Sequence, residues 1–141
     1  MGMKTVAIIG ALDEEVALIA KSLTHVTHTA KGSLDIVSGT VDSFGSDVIK
    51  VAATVGGMGL VNAAATTQLL IDEIAPDAVI FSGIAGNMTS KIGIGDVCVG
   101  ETVVYHDAEL SMIAQSARSG PSTTATLRWY RPRWMPAKPA A

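Results

Sequence analysis

The sequence contains one cysteine and few aromatic residues. Because Cys98 is the only thiol among 141 residues, no disulfide can form within the chain, and a reducing, cytoplasmic location is expected. Aromatic residues make up 4% of the sequence and hydrophobic residues of all kinds 48%, so the core must consist mainly of alanine, valine, isoleucine and leucine. Cys98 lies between Val97 and Val99 and is predicted to be a buried apolar residue.

Several other sequence signals are missing. No apolar run reaches the roughly 18 residues that a membrane-spanning helix needs, and Val6–Ile9 is too short for a signal peptide. No cysteine or further histidine stands at zinc-ligand spacing from His25, His28 or His106. The Gly-x-x-x-x-Gly-Lys phosphate loop and the Gly-x-Ser-x-Gly nucleophile motif are also absent. We therefore expect no membrane partner, no metal and no cofactor.

Charge is distributed unevenly along the chain. Residues 1–110 contain all thirteen acidic residues and five lysines, which is a formal charge of −8. Residues 111–141 contain four arginines, one lysine and no acid, which is a charge of +5. Both tryptophans and four of the five prolines also lie in this last segment. We predict a domain over residues 1–110, followed over residues 111–141 by a basic tail that does not continue its fold.

Three interpretations of residues 111–141 remain open. A stretch rich in serine, threonine, alanine and glycine is typical of a disordered tail. Cations beside aromatic residues also suit a nucleic-acid or membrane surface, although the net charge of −3 for the whole chain argues against a nucleic-acid partner. The abrupt change from lysine and acids to arginine, proline and tryptophan is what a shift of reading frame produces, and we favour this third interpretation.

Strands and helices alternate in the predicted secondary structure. The apolar runs Val6–Gly10 and Ala78–Phe81 predict buried strands, and residues 33–55 predict a hairpin. One helix is expected to follow Asp13 as its N-cap, and a second to span Leu60–Ile74 with apolar residues at helical spacing. This order predicts an α/β fold with a mixed, mostly parallel sheet flanked by helices.

Three turns that follow predicted strands contain residue types found in ligand sites. Asp13, Glu14 and Glu15 follow the first strand, where a carboxylate could act as a general base, although acids also simply favour the start of a helix. The turns Gly56–Gly59 and Ser82–Gly86 are rich in glycine, which lets a backbone approach a ligand. Neither meets the Gly-x-Gly-x-x-Gly template. Because parallel strands end at one edge of a sheet, the three turns together predict a small-molecule cleft.

Six segments resemble, in the same order, segments of a known enzyme family. They are Ile8–Val16, Gly57–Gly59, Pro76–Asp77, Gly83–Gly86, Ile94–Asp96 and Tyr105–Ala108. In them the chain resembles the 5′-methylthioadenosine/S-adenosylhomocysteine nucleosidases of the purine nucleoside phosphorylase superfamily. The Ala-Leu-Asp-Glu-Glu and Tyr-His-Asp-Ala strings indicate this subgroup rather than the phosphorylases.

The resemblance implies an activity and a set of partners. The reaction is hydrolysis of the N-glycosidic bond of methylthioadenosine or S-adenosylhomocysteine, which releases adenine as a step of methionine salvage. The substrate is a small-molecule nucleoside, no cofactor takes part, and the full-length members form homodimers. Glu15 matches the glutamate that activates the attacking water in this family.

The resemblance also implies the residues that contact the substrate. Ala11 and Met58 match residues that wall the ribose and the alkylthio pocket. Ile84 lies where many members have a serine near the water, and a backbone N–H of Ala85 or Gly86 would partly replace that contact.

The second half of the family has no match in this chain after Glu109. In the family, that half supplies the adenine-binding segment, a glutamate for the ribose hydroxyls and an aspartate that protonates adenine. The resemblance therefore implies a truncated chain with little or no activity. Two alternatives stay open: a phosphorylase of the same superfamily, which the absence of arginine from residues 1–110 argues against, and a non-enzymatic nucleoside-binding fragment.

Overall fold

The computed structural model describes residues 4–42 and 48–100 and, for the backbone alone, residues 128–129. The chain divides into two compact units, Met1–Ala85 and Gly86–Ala141. The elements are β1 (Lys4–Gly10), α1 (Asp13–Ser22), β2 (Thr24–Lys31), β3 (Leu34–Asp42), β4 (Val48–Val55), α2 (Leu60–Ile74), β5 (Ala78–Phe81), β6 (Cys98–Val99) and β7 (Arg128–Trp129). Apart from β7, the predicted tail over residues 111–141 lies outside the described residues.

The first unit contains a five-stranded sheet in the order β2-β3-β4-β1-β5. β1 runs parallel to both of its neighbours, β4 and β5, whereas β2–β3 and β3–β4 are antiparallel pairs. This confirms the predicted α/β class with a mixed sheet, whose parallel pairs are confined to the β4–β1–β5 side. β1 is an interior strand with β4 on one side and β5 on the other, which explains why its sequence contains a continuous apolar run from Val6.

The predicted hairpin is present as β3 and β4, and residues 43–47 between them lie outside the described residues. The sequence analysis missed β2, which pairs with β3 at one edge of the sheet. Its sequence, Thr-His-Val-Thr-His-Thr-Ala-Lys, contains no apolar alternation, because seven of its eight residues are exposed. An edge strand of this kind lacks the hydrophobic pattern by which strands are recognised.

Both predicted helices form, and the start of one differs from the prediction. α2 begins at Leu60 and ends at Ile74, as expected, with Ala75 at a φ of +42° in the left-handed region. Asp13 is the first residue of α1, and the N-cap is Leu12, which corrects the prediction that Asp13 is the cap. The backbone N–H of Leu12 donates a hydrogen bond to the carboxylate of Glu15, which lies one turn into the helix.

The core of the first unit lies between the sheet and α2. Its buried members are aliphatic, as the composition requires: Ala7, Ile9, Leu34, Ile36, Ala52 and Leu70. Leu70 of α2 is completely buried, and Leu69 and Ile74 pack beside it. Within the described ranges, neither helix has the length and apolar character to cross a membrane.

The second unit contains one short antiparallel pair. The backbone of Cys98 is opposite Trp129 and that of Val99 is opposite Arg128. Cys98 is exposed, so the prediction that it is a buried apolar residue is wrong. β6 has two residues and one described partner strand.

Candidate functional site

Three strand ends meet at one edge of the sheet in the first unit. β4, β1 and β5 are parallel neighbours and end at Val55, Gly10 and Phe81. The alignment continues beyond the strands, because the N–H of Gly56 donates to Gly10 O at 2.9 Å and the N–H of Ser82 donates to Ile9 O at 2.9 Å. The turns after these strands therefore lie side by side, where an α/β sheet binds ligands.

The side chain of Glu15 joins two of these turns. Its Oε2 accepts hydrogen bonds from the backbone N–H groups of Ala11 at 2.7 Å and Leu12 at 3.0 Å. Its Oε1 accepts one from the backbone N–H of Ile84 at 2.9 Å. The first two donors belong to the turn after β1 and the third to the turn after β5. Three amides thus fix both oxygens of one carboxylate.

These bonds favour the ionised form of Glu15. The amide of Ile84 makes the largest contribution and lowers the pKa of the carboxyl below its usual value of 4.5, with further lowering by Leu12 and Ala11. Partial burial acts in the opposite direction and is outweighed. At neutral pH the group is therefore a carboxylate with fixed orientation, which suits a hydrogen-bond acceptor for water.

Two glycines make room for this carboxylate. A Cβ at Gly83 would lie 3.0 Å from Oε1 of Glu15 and 3.3 Å from the ring of Phe81. A Cβ at Gly10 would lie 2.6 Å from Cγ2 of Val16 and 3.1 Å from Cβ of Glu15. A side chain at Gly10 would therefore require α1 to shift, and one at Gly83 would press on the end of the Glu15 side chain and displace it by a few tenths of an ångström.

Gly83→Ala is expected to raise the pKa of Glu15 towards 4.5. The added methyl group displaces Oε1 and lengthens the bond from Ile84, which is the main cause of the lowered pKa. A depressed carboxyl pKa contributes stability that is complete above the unfolded-state value and is lost as the pH falls through the folded-state value. The variant should therefore lose part of this stability at neutral pH. Its free energy of unfolding should also fall less steeply than that of the unaltered chain as the pH is lowered from neutral to acidic values.

The measurement is a pH titration of carboxyl ¹³C shifts, with the Glu15 signal identified by its loss in Glu15→Gln. Gly86→Ala is the control, because a Cβ at Gly86 meets no atom within 4 Å. An unchanged Glu15 pKa in Gly83→Ala would show that the Ile84 amide does not determine it.

The conformation of the turn Gly56–Gly59, between β4 and α2, explains why it is rich in glycine. Gly57 and Gly59 have φ values of +84° and +95°, which favour glycine. Gly59 is the N-cap of α2, and its carbonyl accepts the N–H of Ala63 at 3.0 Å. Asn62 also anchors the turn, because its side-chain Nδ2 donates to Met58 O at 2.7 Å. These contacts leave the side chain of Met58 71% exposed beside the strand ends.

The structure brings some of the predicted site residues together and not others. Glu15, Ala11 and Ile84 are joined by hydrogen bonds, and the Ile84 side chain is 83% exposed. Ala85 is exposed and makes no described bond to Glu15. Gly86 is the first residue of the second unit. The sequence analysis missed the roles of the Leu12 and Ile84 amides; Gly83, just before Ile84, was the available signal.

In the part of the chain that the structure describes, no group of three histidine, cysteine or acidic side chains is placed so that it could hold a metal ion. The candidate site in the first unit consists of one oriented carboxylate, the amides that bond it and exposed apolar side chains.

Comparison with known proteins decides the family. A family model described as the phosphorylase superfamily matches residues 5–134. This chain belongs to the phosphorylase superfamily. The match extends past residue 110, and the boundary that we placed there stays a prediction.

The curated relatives of this superfamily member include 5′-methylthioadenosine/S-adenosylhomocysteine nucleosidases. That of Anoxybacillus flavithermus is 37% identical over 106 residues, which are 75% of this chain and 44% of the relative. That of a Marinomonas species is 34% identical over 124 residues, 88% of this chain and 52% of the relative. The chain thus spans about half the length of the curated relatives it matches. The resemblance that the six motifs indicated is confirmed.

Solved structures of the same superfamily have a similar fold. The nucleosidase of Colwellia psychrerythraea, in complex with adenine, matches with a TM-score of 0.69 and 30% identity, over 88% of this chain and 49% of that one. The S-adenosylhomocysteine nucleosidase of Streptococcus pyogenes, in complex with 5-methylthiotubericidin, matches with a TM-score of 0.69 and 26% identity, over 89% and 51%. Both comparisons confirm the predicted fold class.

Proposed function

We propose that this chain supplies the water-activating part of a nucleosidase that hydrolyses the N-glycosidic bond of 5′-methylthioadenosine and S-adenosylhomocysteine. One observation carries the proposal: an ionised carboxylate, Glu15, is fixed by three amides where three strand ends meet. The names of the relatives and the ligands of the solved structures support the substrate class.

The geometry leaves Glu15 one place for a water molecule. A carboxylate has about four acceptor positions, two on each oxygen. Two amides occupy Oε2 and one occupies Oε1, so the remaining position is on Oε1. A water that donates a hydrogen bond there has its lone pairs directed away from the carboxylate. We expect it to attack the anomeric carbon of a ribose whose positive charge the carboxylate also stabilises.

The other predicted site residues receive supporting roles in this proposal. Ala11 and the exposed Met58 wall the ribose and the alkylthio group, and Ile84 fixes the carboxylate through its backbone. Ala85 and Gly86 stay predicted substrate contacts.

Hydrolysis is favoured over phosphorolysis by charge. A phosphate nucleophile would approach an ionised carboxylate, and the repulsion between like charges disfavours it. No arginine is present in residues 1–110 to balance that charge. Water is neutral and meets no such barrier.

A chimeric enzyme tests the proposal. Residues 1–108 of this chain would be joined to the remaining half of the Anoxybacillus flavithermus relative, and adenine release from methylthioadenosine would be followed by chromatography. We expect turnover without phosphate. Turnover that requires phosphate would favour the phosphorylase alternative. A folded chimera that binds adenine without turnover would favour the non-enzymatic alternative.

The 141-residue polypeptide alone is expected to release adenine slowly or not at all. None of the residues assigned above is an acid for the leaving adenine, and general acid catalysis contributes typically 10²–10⁴-fold. Adenine release by the purified 141-residue chain at the rate of the intact relative would contradict this expectation.

The remaining inferences concern the chain in the cell. We propose a cytoplasmic homodimer that acts in methionine salvage, with a domain boundary near residue 110 and a frame-shifted segment after it. The charge change from −8 to +5 supports the boundary. Sequencing the coding DNA and translating all three frames past the codon for Glu109 tests it: a second frame that encodes a Ser-Asp pair supports the frame shift.

A further inference from the structure

A second cleft lies in the first unit, on the antiparallel side of the sheet. It has a volume of about 170 Å³ and is lined by His25, Thr27, Ser38, Gly39, Thr40 and Lys50. Lys50 lies near the start of β4, five residues before the end of that strand at Val55. A strand rises about 3.3 Å per residue, so roughly 16 Å separate this cleft from the strand end beside Glu15. The proposed nucleosidase reaction uses none of these residues.

A β-bulge brings His25 to the cleft. Thr24 pairs with Thr40 and Thr27 with Ser38, so two residues of β2 stand opposite one residue of β3. In this bulge His25 has a φ of +52°, a left-handed conformation that glycine adopts more readily. An imidazole is thus retained where the backbone favours glycine, and such strain points to a role for the side chain.

Hydrogen bonds hold the imidazole against β3. Its Nδ1 lies 3.3 Å from Oγ1 of Thr40, which in turn lies 2.9 Å from Oγ1 of Thr24. When Nδ1 accepts the hydroxyl proton of Thr40, the ring proton is on Nε2. Among the described residues, Nε2 has no partner, and it is therefore available as a donor to a ligand.

Several side chains of the cleft can donate to an anion. They are the ammonium group of Lys50, the imidazole of His25 and the hydroxyls of Ser38 and Thr27, the last of which also lies 3.5 Å from Ser38 O as a donor, and no carboxylate is among the described lining residues. The nearest acid in the strand register is Asp42, opposite Val48 and two residues beyond the Thr40–Lys50 pair. It forms no ion pair with Lys50 among the described contacts. The cleft therefore has a positively charged lining, although residues 1–110 as a whole carry a formal charge of −8.

We propose that this cleft binds a small tetrahedral oxyanion of the phosphate class, either inorganic phosphate or the phosphoryl group of a small metabolite. Lys50 supplies the positive charge, and His25 and the hydroxyls donate to separate oxygens of the anion. Lysine binds phosphate as a point charge, and neutral donors around it add orientation. The volume of the cleft suits one such group with a small substituent.

Phosphate titration of the intact 141-residue chain tests the proposal. Backbone amide shifts would be followed by ¹H–¹⁵N NMR at constant ionic strength, with sodium chloride as the comparison salt and ribose 5-phosphate as a second probe. We expect saturating shifts at Thr27, Ser38 and Lys50 with phosphate and not with chloride. Tighter binding of ribose 5-phosphate would identify a phosphorylated metabolite, and equal or weaker binding would identify the free ion.

Two variants and a matched control locate the site. Lys50→Gln and His25→Gly are each expected to weaken phosphate binding at least tenfold. His25→Gly removes the donor but suits the left-handed backbone, so its unfolding midpoint should not fall below that of the unaltered chain. Lys21→Gln makes the same charge change on α1 and should alter affinity less than twofold. Equal weakening by all three variants, shifts outside the cleft, or no saturation by phosphate would overturn the proposal.

Discussion

Glu15→Gln should lower adenine release by the chimeric nucleosidase by about 10²–10⁴-fold, which is the usual contribution of a general base. Glutamine has the same size, but it has no charge and only one acceptor oxygen. Its amino group would also face the N–H donors of Ala11 and Leu12, or that of Ile84, which now bond the carboxylate. Both the activation and the orientation of the water are therefore lost.

Glu14→Gln is the matched control for this experiment. Glu14 is the neighbouring residue in the same helical turn, it is exposed, and it makes no described hydrogen bond or ion pair. Turnover and the KM for methylthioadenosine should be unchanged in this variant. Binding of adenine should survive in both variants, which separates loss of catalysis from loss of folding. A Glu15→Gln chimera with full turnover would remove Glu15 from the reaction.

Leu70→Ala should lower the free energy of unfolding by about 2–5 kcal/mol, the usual cost of replacing a fully buried leucine. Leu70 has no exposed surface and lies at the centre of the cluster between α2 and the sheet. The cost combines lost transfer free energy with the cavity that the rigid sheet beneath it cannot fill. A domain of this size is stable by about 5–15 kcal/mol, so the urea midpoint should fall substantially.

Leu60→Ala makes the same chemical change ten residues earlier in the same helix. The Leu60 side chain is 75% exposed, so we expect a change in the free energy of unfolding within about 0.5 kcal/mol. Urea unfolding followed by circular dichroism measures both variants. Similar losses in the two would mean that the effect does not come from burial of Leu70 in the core, since alanine favours a helix at least as well as leucine at both positions.

Burial explains which strands the sequence predicts. β1 lies between β4 and β5, so its residues are apolar in an uninterrupted run, and the run identifies it. β2 lies at an edge with almost every residue exposed, so threonine and histidine replace the apolar pattern. The helix α2 is predictable to the residue because one of its faces packs on the core and Pro76 follows its end.

Sequence distance explains which parts of the candidate site the sequence predicts. The acidic turn and the family resemblance identify Glu15, and the glycine turns mark the neighbouring strand ends. The donor Ile84 is 69 residues from Glu15, and their contact depends on the register that pairs Ile9 with Phe81. A backbone amide leaves no mark on residue type, so only the glycine before it hints at the close approach.

The three amides around Glu15 differ greatly in how far along the chain they lie from it. Two of the bonds span three and four residues, and the third spans 69. Closing a short loop loses little conformational entropy, so the first two can form as soon as α1 does, whereas the third must wait until β5 has joined β1. The pKa of Glu15 therefore depends on whether β5 has paired with β1, because only then can the Ile84 amide bond the carboxylate. During refolding at mildly acidic pH, proton release from Glu15 should coincide with the docking of β5 and follow the formation of α1.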